Sequence, residues 1–428
     1  MNVLFITTFG QSIIHEHIFT RNVWYALREN SSVSLMTIFE EGKEIRYDYD
    51  PSDRWHKLYL PSAVLKSRKD SIQAVAECFK RISPDIIHSN MIETFEIEAA
   101  NKLKIPIVLT MHIGGLICPR GGGNGFLRWD DTICDGPVGD KCRKCCYYEL
   151  PFPYIAKSID KLIPQKLSDQ LNDKLKGKRI FYLSPILSIS ENINRRLEAI
   201  ETLKKATVIT ANNRLSSVLK NLGIPTEVIR HGIKSFNRYD YPKVEAGNKV
   251  KFYFLGRMQY SKGLHILLQA LEGIPIDSYE LHVFGDAYPA RREQIYKKKI
   301  LKLAKHKSVI FHGFVENNQL PELLKGMHVM VHPAIFHEVY GINISESLSF
   351  GHPVLATKCG GPEMQIQNDV NGWLIEPNNV IELRKKIKYI IDNKSILPQI
   401  NANCHCPNTL DNYVGELYKL YGKLLNTQ

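Results

Sequence analysis

Short apolar runs alternate with longer stretches of helical polar period along the whole chain. The runs are bounded by Gly, Pro, Asn and Asp, and this alternation indicates βαβ units that build mostly parallel sheets. The layout occurs twice, so the sequence predicts an α/β fold with two Rossmann-like, doubly wound domains. The apolar runs lie at 2–7, 32–38, 84–89, 105–112, 181–189 and 206–211, and again at 250–256, 280–285, 308–313, 328–334, 353–357 and 372–377.

Domain borders follow from the length and from one irregular segment. The chain has 428 residues, whereas a single hydrophobic core rarely grows beyond about 250–300 residues. The stretch VIRHGIKSFNRYDY at 228–241 combines a His-Gly turn with polar and aromatic residues, which favours a junction. We therefore predict an N-terminal domain at 1–230 with a cysteine-rich insertion at 118–146, a C-terminal domain at 231–406, and a final helix at 407–428 that packs back on the N-terminal domain.

Composition excludes two classes of protein. Hydrophobic residues make up 44% of the chain and charged residues 23%, which is ordinary for a globular protein and excludes a wholly disordered one. No apolar run reaches the length of about 18 residues that a membrane-spanning helix needs. The start MNVLFITTFGQ lacks the basic region of a signal peptide and is typical of a first buried strand, so we expect a cytoplasmic protein.

The chain is basic, with a formal net charge of +12. A positive balance favours acidic partners such as nucleic acid, anionic lipid or phosphorylated ligands, and solubility alone would also explain it. The stretch 152–180 combines lysines with regularly spaced Ile and Leu. It is either a surface for an anionic membrane or a helix packed on the first domain, and both interpretations stay open.

Candidate chemistry is densest in HVMVHPAIFHEVYGINISESLSFGHPVLATKCGGPEMQ. An apolar strand is followed by Glu338, then by Gly341 and a helix that holds Glu346. A helix start offers free N–H groups and positive dipole character, so it can hold phosphates. A carboxylate just before that start and another one turn inside can accept sugar hydroxyls. The plainer alternative is that Asn343 and Glu346 form an ordinary capping box.

Two cations stand at a second strand-to-helix turn. Arg257 and Lys262 lie five positions apart in FLGRMQYSKGLHILLQAL, after a strand-ending glycine and before a helix. Paired cations in such a place can neutralise a diphosphate and stabilise the charge that grows as it leaves. On a solvated surface, the same pair would have no chemical role.

These segments resemble family 4 of the retaining glycosyltransferases. The resemblance rests on Glu338 and Glu346 with seven residues between them and on the following PVLATKCGGPEM, and it is strong over about 230–380. It implies the GT-B fold, in which two Rossmann-like domains face a central cleft, with the nucleotide-sugar on the C-terminal domain and the acceptor on the N-terminal one. Glu338 would then contact the transferred sugar, the backbone N–H groups of Gly341 and Ile342 would bind the diphosphate, and Glu346 would hold the ribose.

The resemblance implies roles for three residues outside that segment. The backbone around Val315 would meet the nucleobase. Gly10, after the first strand, would let the chain approach the donor phosphates and the acceptor, although Gln11 stands where the family has a second glycine. His112, at the end of a strand, would lie near the donor sugar and orient a hydroxyl or relay charge. With Arg257 and Lys262 as the cations on the diphosphate, catalysis would need no cofactor.

The function that follows is retaining transfer of a sugar from a nucleotide diphosphate sugar to an acceptor hydroxyl. A UDP-sugar is the favoured donor, and the acceptor is a carbohydrate, a lipid-linked or a small molecule. Surface polysaccharide or glycoconjugate biosynthesis is the favoured setting. A nucleotide-sugar epimerase of the same fold stays open as an alternative. No nucleic-acid partner is expected, because no helix-turn-helix, RNA-recognition or finger pattern occurs.

Four cysteines are spaced in a way that suggests a structural metal. They are Cys118, Cys134, Cys142 and Cys145, with Cys146 adjacent to the last. Four thiolates suit a tetrahedral zinc site, and in a cytoplasmic chain such clusters more often bind metal than form disulfides. Free thiols and a redox pair stay open as alternatives. Four thiolates leave no open position, so a catalytic role for the metal is not expected.

Overall fold

The chain divides into two compact units. Unit 1 comprises Met1–Gly121, Gly136–Gly232 and Leu410–Gln428, and unit 2 comprises Gly122–Asp135 and Ile233–Thr409. The sequence places the whole cysteine-rich stretch in the N-terminal domain, whereas the structure groups its middle part with unit 2. The computed structural model describes residues 1–8, 18–29, 32–90, 93–112, 114–120, 125–137, 139–147, 185–238, 241–242 and 247–426.

Unit 1 is built on one sheet of eight strands. The strands are β1 (Val3–Thr8), β2 (Val33–Glu40), β3 (Arg46–Asp50), β4 (Trp55–Leu60), β5 (Ile86–Ser89), β6 (Ile107–Thr110), β7 (Thr207–Thr210) and β8 (Thr226–Val228). Their order is β3-β4-β2-β1-β5-β6-β7-β8, and all neighbours are parallel except β3 and β4. The described helices of this unit are α1 (Ile18–Leu27), α2 (Ser62–Lys66), α3 (Arg68–Ile82), α4 (Phe95–Lys102), α5 (Gly139–Tyr147), α6 (Pro185–Leu203), α7 (Asn213–Asn221) and α14 (Leu410–Asn426).

Burial explains why the inner strands read as continuous apolar runs. Val3, Leu4 and Phe5 of β1 are completely buried, although successive side chains of a strand point to opposite faces. A parallel sheet that is covered on both faces requires this pattern. The apolar run predicted at 181–189 differs, because its described part from Pro185 onward lies in α6.

The last helix, α14, belongs to unit 1 and lies against α1. Tyr413, Leu417 and Tyr421 form its buried side, and the ring of Tyr413 contacts that of Phe19 at 5.3 Å between centroids. The chain therefore ends its second unit and returns to the first.

Unit 2 is built on a wholly parallel sheet of six strands. The strands are β9 (Val250–Leu255), β10 (Tyr279–Phe284), β11 (Val309–Gly313), β12 (Val329–His332), β13 (Val354–Thr357) and β14 (Gly372–Ile375). Their order is β11-β10-β9-β12-β13-β14. The helices are α8 (Leu264–Ala270), α9 (Arg291–Leu303), α10 (Leu320–Leu324), α11 (Ile342–Phe350), α12 (Val380–Asp392) and α13 (Leu397–Ala402).

The strand order of unit 2 determines where a ligand can bind. From β9 the chain adds strands outward on one side through β10 and β11, and then returns to place β12 on the other side of β9. Ligands of doubly wound sheets bind at such a reversal, beyond the carboxyl ends of the two strands. Helices cover both faces of this sheet. One apolar cluster holds α8, α9 and α12 against one face, and another holds α10 and α11 against the opposite face.

Among the described helices, none is both long and apolar enough to cross a lipid bilayer.

Candidate functional site

The reversal point of unit 2 brings the two predicted segments together. Arg257 and Lys262 follow β9, and Glu338 and Gly341 follow β12, which pairs with β9 in parallel. Lys262 ends a short 3-10 turn, and the following Gly263 has a φ of 74°. This turn lies directly against the end of β12, since a Cβ on Gly263 would come within 1.8 Å of the backbone oxygen of Pro333.

Lys262 and Glu338 form a short, mostly buried ion pair. The Lys262 Nζ donates to Glu338 Oε2 at 2.6 Å, and the two side chains are 20% and 13% exposed. The ammonium also lies 4.7 Å from the centre of the Phe336 ring. Burial by itself would raise the pKa of Glu338, but the nearby Lys262 and His332 lower that pKa well below its usual value. Glu338 is therefore ionised throughout the physiological pH range.

His332 approaches the same carboxylate from the end of β12. Its side chain is 3% exposed, and its Nε2 lies 3.6 Å from Glu338 Oε2. Burial lowers the pKa of His332, so the ring is neutral at pH 7. The Asn343 amide donates to the Leu255 backbone oxygen at 2.6 Å and lies 3.4 Å from His332 Nδ1. An amide N–H directed at Nδ1 favours the tautomer with the ring proton on Nε2, the nitrogen that lies 3.6 Å from Glu338 Oε2.

Sequence reasoning missed His332. Its signal is a histidine on the last position of a buried strand, six residues before the first carboxylate of the pair. The alternative interpretation, in which Asn343 and Glu346 form a capping box, is wrong. The N-cap of α11 is Gly341, and the Asn343 amide donates instead to Leu255 of β9, so it joins the helix start to the neighbouring strand.

The start of α11 faces the loop that carries Glu338. Gly341 caps the helix with a φ of 81° and without a side-chain hydrogen bond. The Glu338 backbone donates to Cys359 at 2.9 Å and accepts from Gly361 at 2.8 Å, which holds the loop against the segment after β13. The first N–H groups of a helix have no acceptor within the helix, so this end of α11 can receive an anion.

Glu346 lies one turn inside α11 and is 8% exposed. Burial raises its pKa to about 7. The Asn317 side-chain amide donates to Glu346 Oε1 at 3.3 Å. Because Asn317 lies just beyond β11, this contact joins the helix to the segment that contains Val315.

Replacing Glu346 with glutamine should stabilise the protein at alkaline pH. The folded pKa of about 7 exceeds the unfolded value of 4.5, so the buried acid favours folding only while it stays protonated. Below pH 4.5 the wild type and Glu346→Gln should therefore be equally stable. Above about pH 8 the free energy of unfolding of the wild type should be lower than that of the variant by on the order of 3 kcal/mol. Thermal unfolding of both proteins across this range measures the difference. A difference that does not change with pH would contradict the assigned burial of the charge.

The other predicted donor-site residues of unit 2 have distinct surroundings. Val315 is half-buried and packs against the apolar cluster of α10 and α11, directly after Phe314, which is 55% exposed. Arg257 lies with its guanidinium carbon 5.1 Å from the centre of the Tyr288 ring. Both residues therefore follow the carboxyl ends of strands on the same edge of the sheet.

His112 lies in unit 1, at the end of β6, and is half-buried. Its Nε2 is 2.8 Å from Asn90 Oδ1, and its ring centre is 5.5 Å from that of His231. The predicted contact of His112 with a donor sugar stays a prediction. Gly10 lies outside the described residues.

His88 of β5 is a core residue. It is completely buried, and its two ring nitrogens lie 2.5 Å from the Tyr421 hydroxyl and 2.6 Å from the Thr110 hydroxyl. Burial and the nearby His112 lower its pKa to about 3. A neutral histidine bonded on both sides connects β5, β6 and α14.

The predicted cysteine ligands belong to both units. Cys118 belongs to unit 1 and Cys134 to unit 2, while Cys142 packs beside Cys146 against an apolar cluster of α5 and α6. Within the described ranges, no group of three or more His, Cys, Asp or Glu side chains could hold a metal ion. No disulfide joins any of these cysteines either. A structural zinc site therefore stays a prediction, with the ligands Cys118, Cys134, Cys142 and Cys145. The basic stretch 152–180 lies outside the described residues.

Comparison with known proteins relates this site to sugar transfer. Residues 236–404 match the family described as Glycosyl transferases group 1. This range holds every predicted donor-site residue of unit 2, from Arg257 to Glu346. The D-rhamnosyltransferase WbpZ of Pseudomonas aeruginosa is 26% identical over 197 residues, which are 44% of this chain and 50% of that protein. The chain thus spans about half the length of the curated relatives it matches.

Two solved structures resemble the whole chain. HepE of Anabaena, in complex with UDP and glucose, is 17% identical with a TM-score of 0.62 over 99% of both chains. Sucrose-phosphate synthase of Thermosynechococcus elongatus is 14% identical with a TM-score of 0.65 over 100% of both chains. At such identities the likeness shows the fold alone. It confirms the predicted class, a GT-B fold with two Rossmann-like domains.

Proposed function

We propose that this protein is a retaining glycosyltransferase that moves a sugar from a nucleotide diphosphate donor to an acceptor hydroxyl. The observation that carries the proposal is the Lys262–Glu338 pair beside the open start of α11, at the strand reversal of unit 2. A cation, a carboxylate and free backbone N–H groups meet there, and a nucleotide-sugar requires all three. The match to the group 1 glycosyltransferases over the same residues supports this assignment.

The donor would bind along this edge of the unit 2 sheet. Arg257, Lys262 and the N–H groups of Gly341 and Ile342 hold the diphosphate in the proposal, and Glu338 accepts hydroxyls of the sugar. At the other end, Glu346 holds the ribose and the backbone around Val315 meets the base. The contact between Asn317 and Glu346 supports a common surface for the last two groups.

Catalysis would depend on charge stabilisation of the leaving group. The bond between the anomeric carbon and the diphosphate oxygen breaks, and negative charge grows on that oxygen beside two cations and a helix start. The acceptor oxygen bonds to the same face of the anomeric carbon, and its proton passes to the leaving phosphate. The ionised Glu338, held by Lys262 and faced by His332, is suited to orient the sugar rather than to take a proton. These steps need no cofactor.

Substrate, setting and location belong to the same proposal. A UDP-sugar is the donor that we favour, since the HepE structure with the same fold holds UDP and glucose. The acceptor is a carbohydrate, a lipid-linked or a small molecule, and in the proposal it binds mainly to the N-terminal domain. The setting is surface polysaccharide or glycoconjugate synthesis in the cytoplasm, and the net charge of +12 favours peripheral contact with an anionic membrane.

A nucleotide panel tests the donor site directly. We expect UDP to raise the thermal unfolding midpoint more than GDP or ADP, because a ligand at a hundred times its Kd adds about 2.7 kcal/mol to stability. Arg257→Ala should weaken this effect. The control Arg291→Ala, which removes the same charge from an exposed helix position, should not. Equal responses of the two variants would contradict the role of Arg257.

Incubation with UDP-sugars alone separates the transferase from an epimerase of the same fold. A transferase leaves the sugar unchanged apart from slow hydrolysis, whereas an epimerase inverts one of its carbons without an acceptor. Accumulation of an epimeric nucleotide-sugar would overturn the proposed transfer.

Metal analysis of the purified chain tests the structural zinc independently.

A further inference from the structure

Helix α9 is the most basic segment among the described residues of unit 2. Residues 291–307 hold eight Lys or Arg and a single Glu. Tyr296 and Ile300 turn inward and are buried in the apolar cluster that covers one face of the sheet. Most of the other charged positions of the helix are exposed, and none of the proposed donor contacts uses them.

The outward side of α9 combines cations with large apolar side chains. Ile295 is 60% exposed and Leu301 is 45% exposed. Lys298, Lys299 and Lys302 are exposed beside them. We call these five residues the α9 face.

The charge of the α9 face is not neutralised locally. Lys297, on the inner flank of the helix, pairs with Asp286 at 2.6 Å. In the part of the chain that the structure describes, Lys298 and Lys302 form no such pair. A cluster of unpaired lysines on one side of a helix attracts an anionic surface within about a Debye length.

The exposed apolar side chains indicate which anionic surface fits. A nucleic-acid backbone offers phosphates but no apolar layer for Ile295 and Leu301. An anionic bilayer offers both, since its phosphates lie directly above hydrocarbon and a basic amphipathic helix lies in that boundary.

We propose that the α9 face docks unit 2 on an anionic lipid bilayer. The lysine ammonium groups contact lipid phosphates, while Ile295 and Leu301 enter the boundary between headgroups and acyl chains. This docking does not depend on the proposed sugar transfer, so either can fail without the other.

Vesicle sedimentation with the full chain tests the docking. We expect the protein to sediment with phosphatidylcholine vesicles that contain about 30% phosphatidylglycerol, and not with phosphatidylcholine alone. The triple variant Lys298→Glu, Lys299→Glu, Lys302→Glu should lose at least about tenfold in apparent affinity. A control triple in unit 1, Lys66→Glu, Lys69→Glu, Lys102→Glu, changes the net charge equally at exposed positions and should bind like the wild type.

A second pair of variants tests the apolar part. Ile295→Ser with Leu301→Ser should weaken binding several-fold while the dependence on salt stays that of the wild type, because no charge is removed. The control pair Ile45→Ser with Leu197→Ser removes residues of similar exposure from unit 1 and should have no effect. Thermal unfolding establishes that each variant is folded.

Several results would overturn the docking. These are sedimentation of the wild type with neutral vesicles to the same extent, equal loss in the α9 triple and its control, or full binding by the α9 triple. A further contrary result is a protein that fails to sediment with anionic vesicles and instead binds single-stranded nucleic acid through the α9 lysines. That result would contradict docking on lipid and assign the α9 face to nucleic acid.

Discussion

Lys262→Met should abolish sugar transfer and also destabilise the fold. In the proposed mechanism, the loss of one cation from the leaving diphosphate lowers kcat/KM by at least about a hundredfold. The same change leaves the Glu338 carboxylate, which is only 13% exposed, without its partner at 2.6 Å. Breaking such a pair from one side costs about 3 kcal/mol, because the remaining charge stays buried.

A double variant separates the two effects. Glu338→Gln in addition to Lys262→Met removes the stranded charge, so the double variant should regain most of the stability and remain inactive. The matched control for Lys262→Met is Lys358→Met, which breaks an exposed pair with Glu376 that is also 2.6 Å long. This control should lower the free energy of unfolding by less than about 1 kcal/mol. Urea unfolding and initial rates with a UDP-sugar measure both quantities.

The stability effect of Lys262→Met should also depend on pH. The pKa of Glu338 is depressed in the folded protein, so the pair stabilises the fold above the ordinary pKa of 4.5 and loses this effect as the pH falls further. The gap between wild type and variant should therefore shrink in acid. A constant gap, or activity retained by the double variant, would contradict the assigned roles.

Gly263→Ala should prevent unit 2 from folding correctly, whereas Gly273→Ala should be tolerated. Both glycines have a left-handed backbone, with φ of 74° and 78°. A methyl group on Gly273 meets nothing within 4 Å, but on Gly263 it would lie 1.8 Å from the backbone oxygen of Pro333. The first substitution therefore forces β12 away from the turn that carries Lys262.

The expected magnitudes differ clearly. Gly273→Ala should cost about 1 kcal/mol from backbone strain alone, and Gly263→Ala more than about 4 kcal/mol or no folded protein at all. Urea unfolding of both variants, with UDP as the ligand in a second series, measures the stability and the loss of the donor site. Similar stabilities for the two variants would show that the close approach of the turn to β12 is absent.

Most of the unit 2 architecture could be predicted, because its strands other than the edge strand β11 are mostly buried. A strand covered on both faces is apolar at nearly every position, so runs such as 250–256 and 328–334 mark β9 and β12 directly. In unit 1, β3 and β4 escaped prediction. They lie at the edge of the sheet, where β3 is mostly exposed and β4 only partly buried, so their sequences RYDYD and WHKLYL lack a continuous apolar run.

Residue type alone did not show which histidines of unit 1 lie in the core. His88 and His112 both lie near the carboxyl ends of neighbouring buried strands, β5 and β6. The structure places one of them completely inside unit 1 between two hydroxyl groups and leaves the other half-buried beside Asn90. A histidine in a core and one in a site have the same local sequence, because what distinguishes them is the distant residue that covers them.

By itself, the sequence determined the alternation of buried strands and helices, and the spacing of Glu338, Gly341 and Glu346 around one helix start, since these depend on neighbours along the chain. Only the tertiary structure decided that Lys262 meets Glu338 across 76 positions, that His332 faces the same oxygen, and that the cysteines of 118–146 are divided between two units. The reason is that no local sequence pattern determines the order of the strands in a sheet. It is settled by which apolar faces pack together, and that packing brings the ends of β9 and β12 side by side.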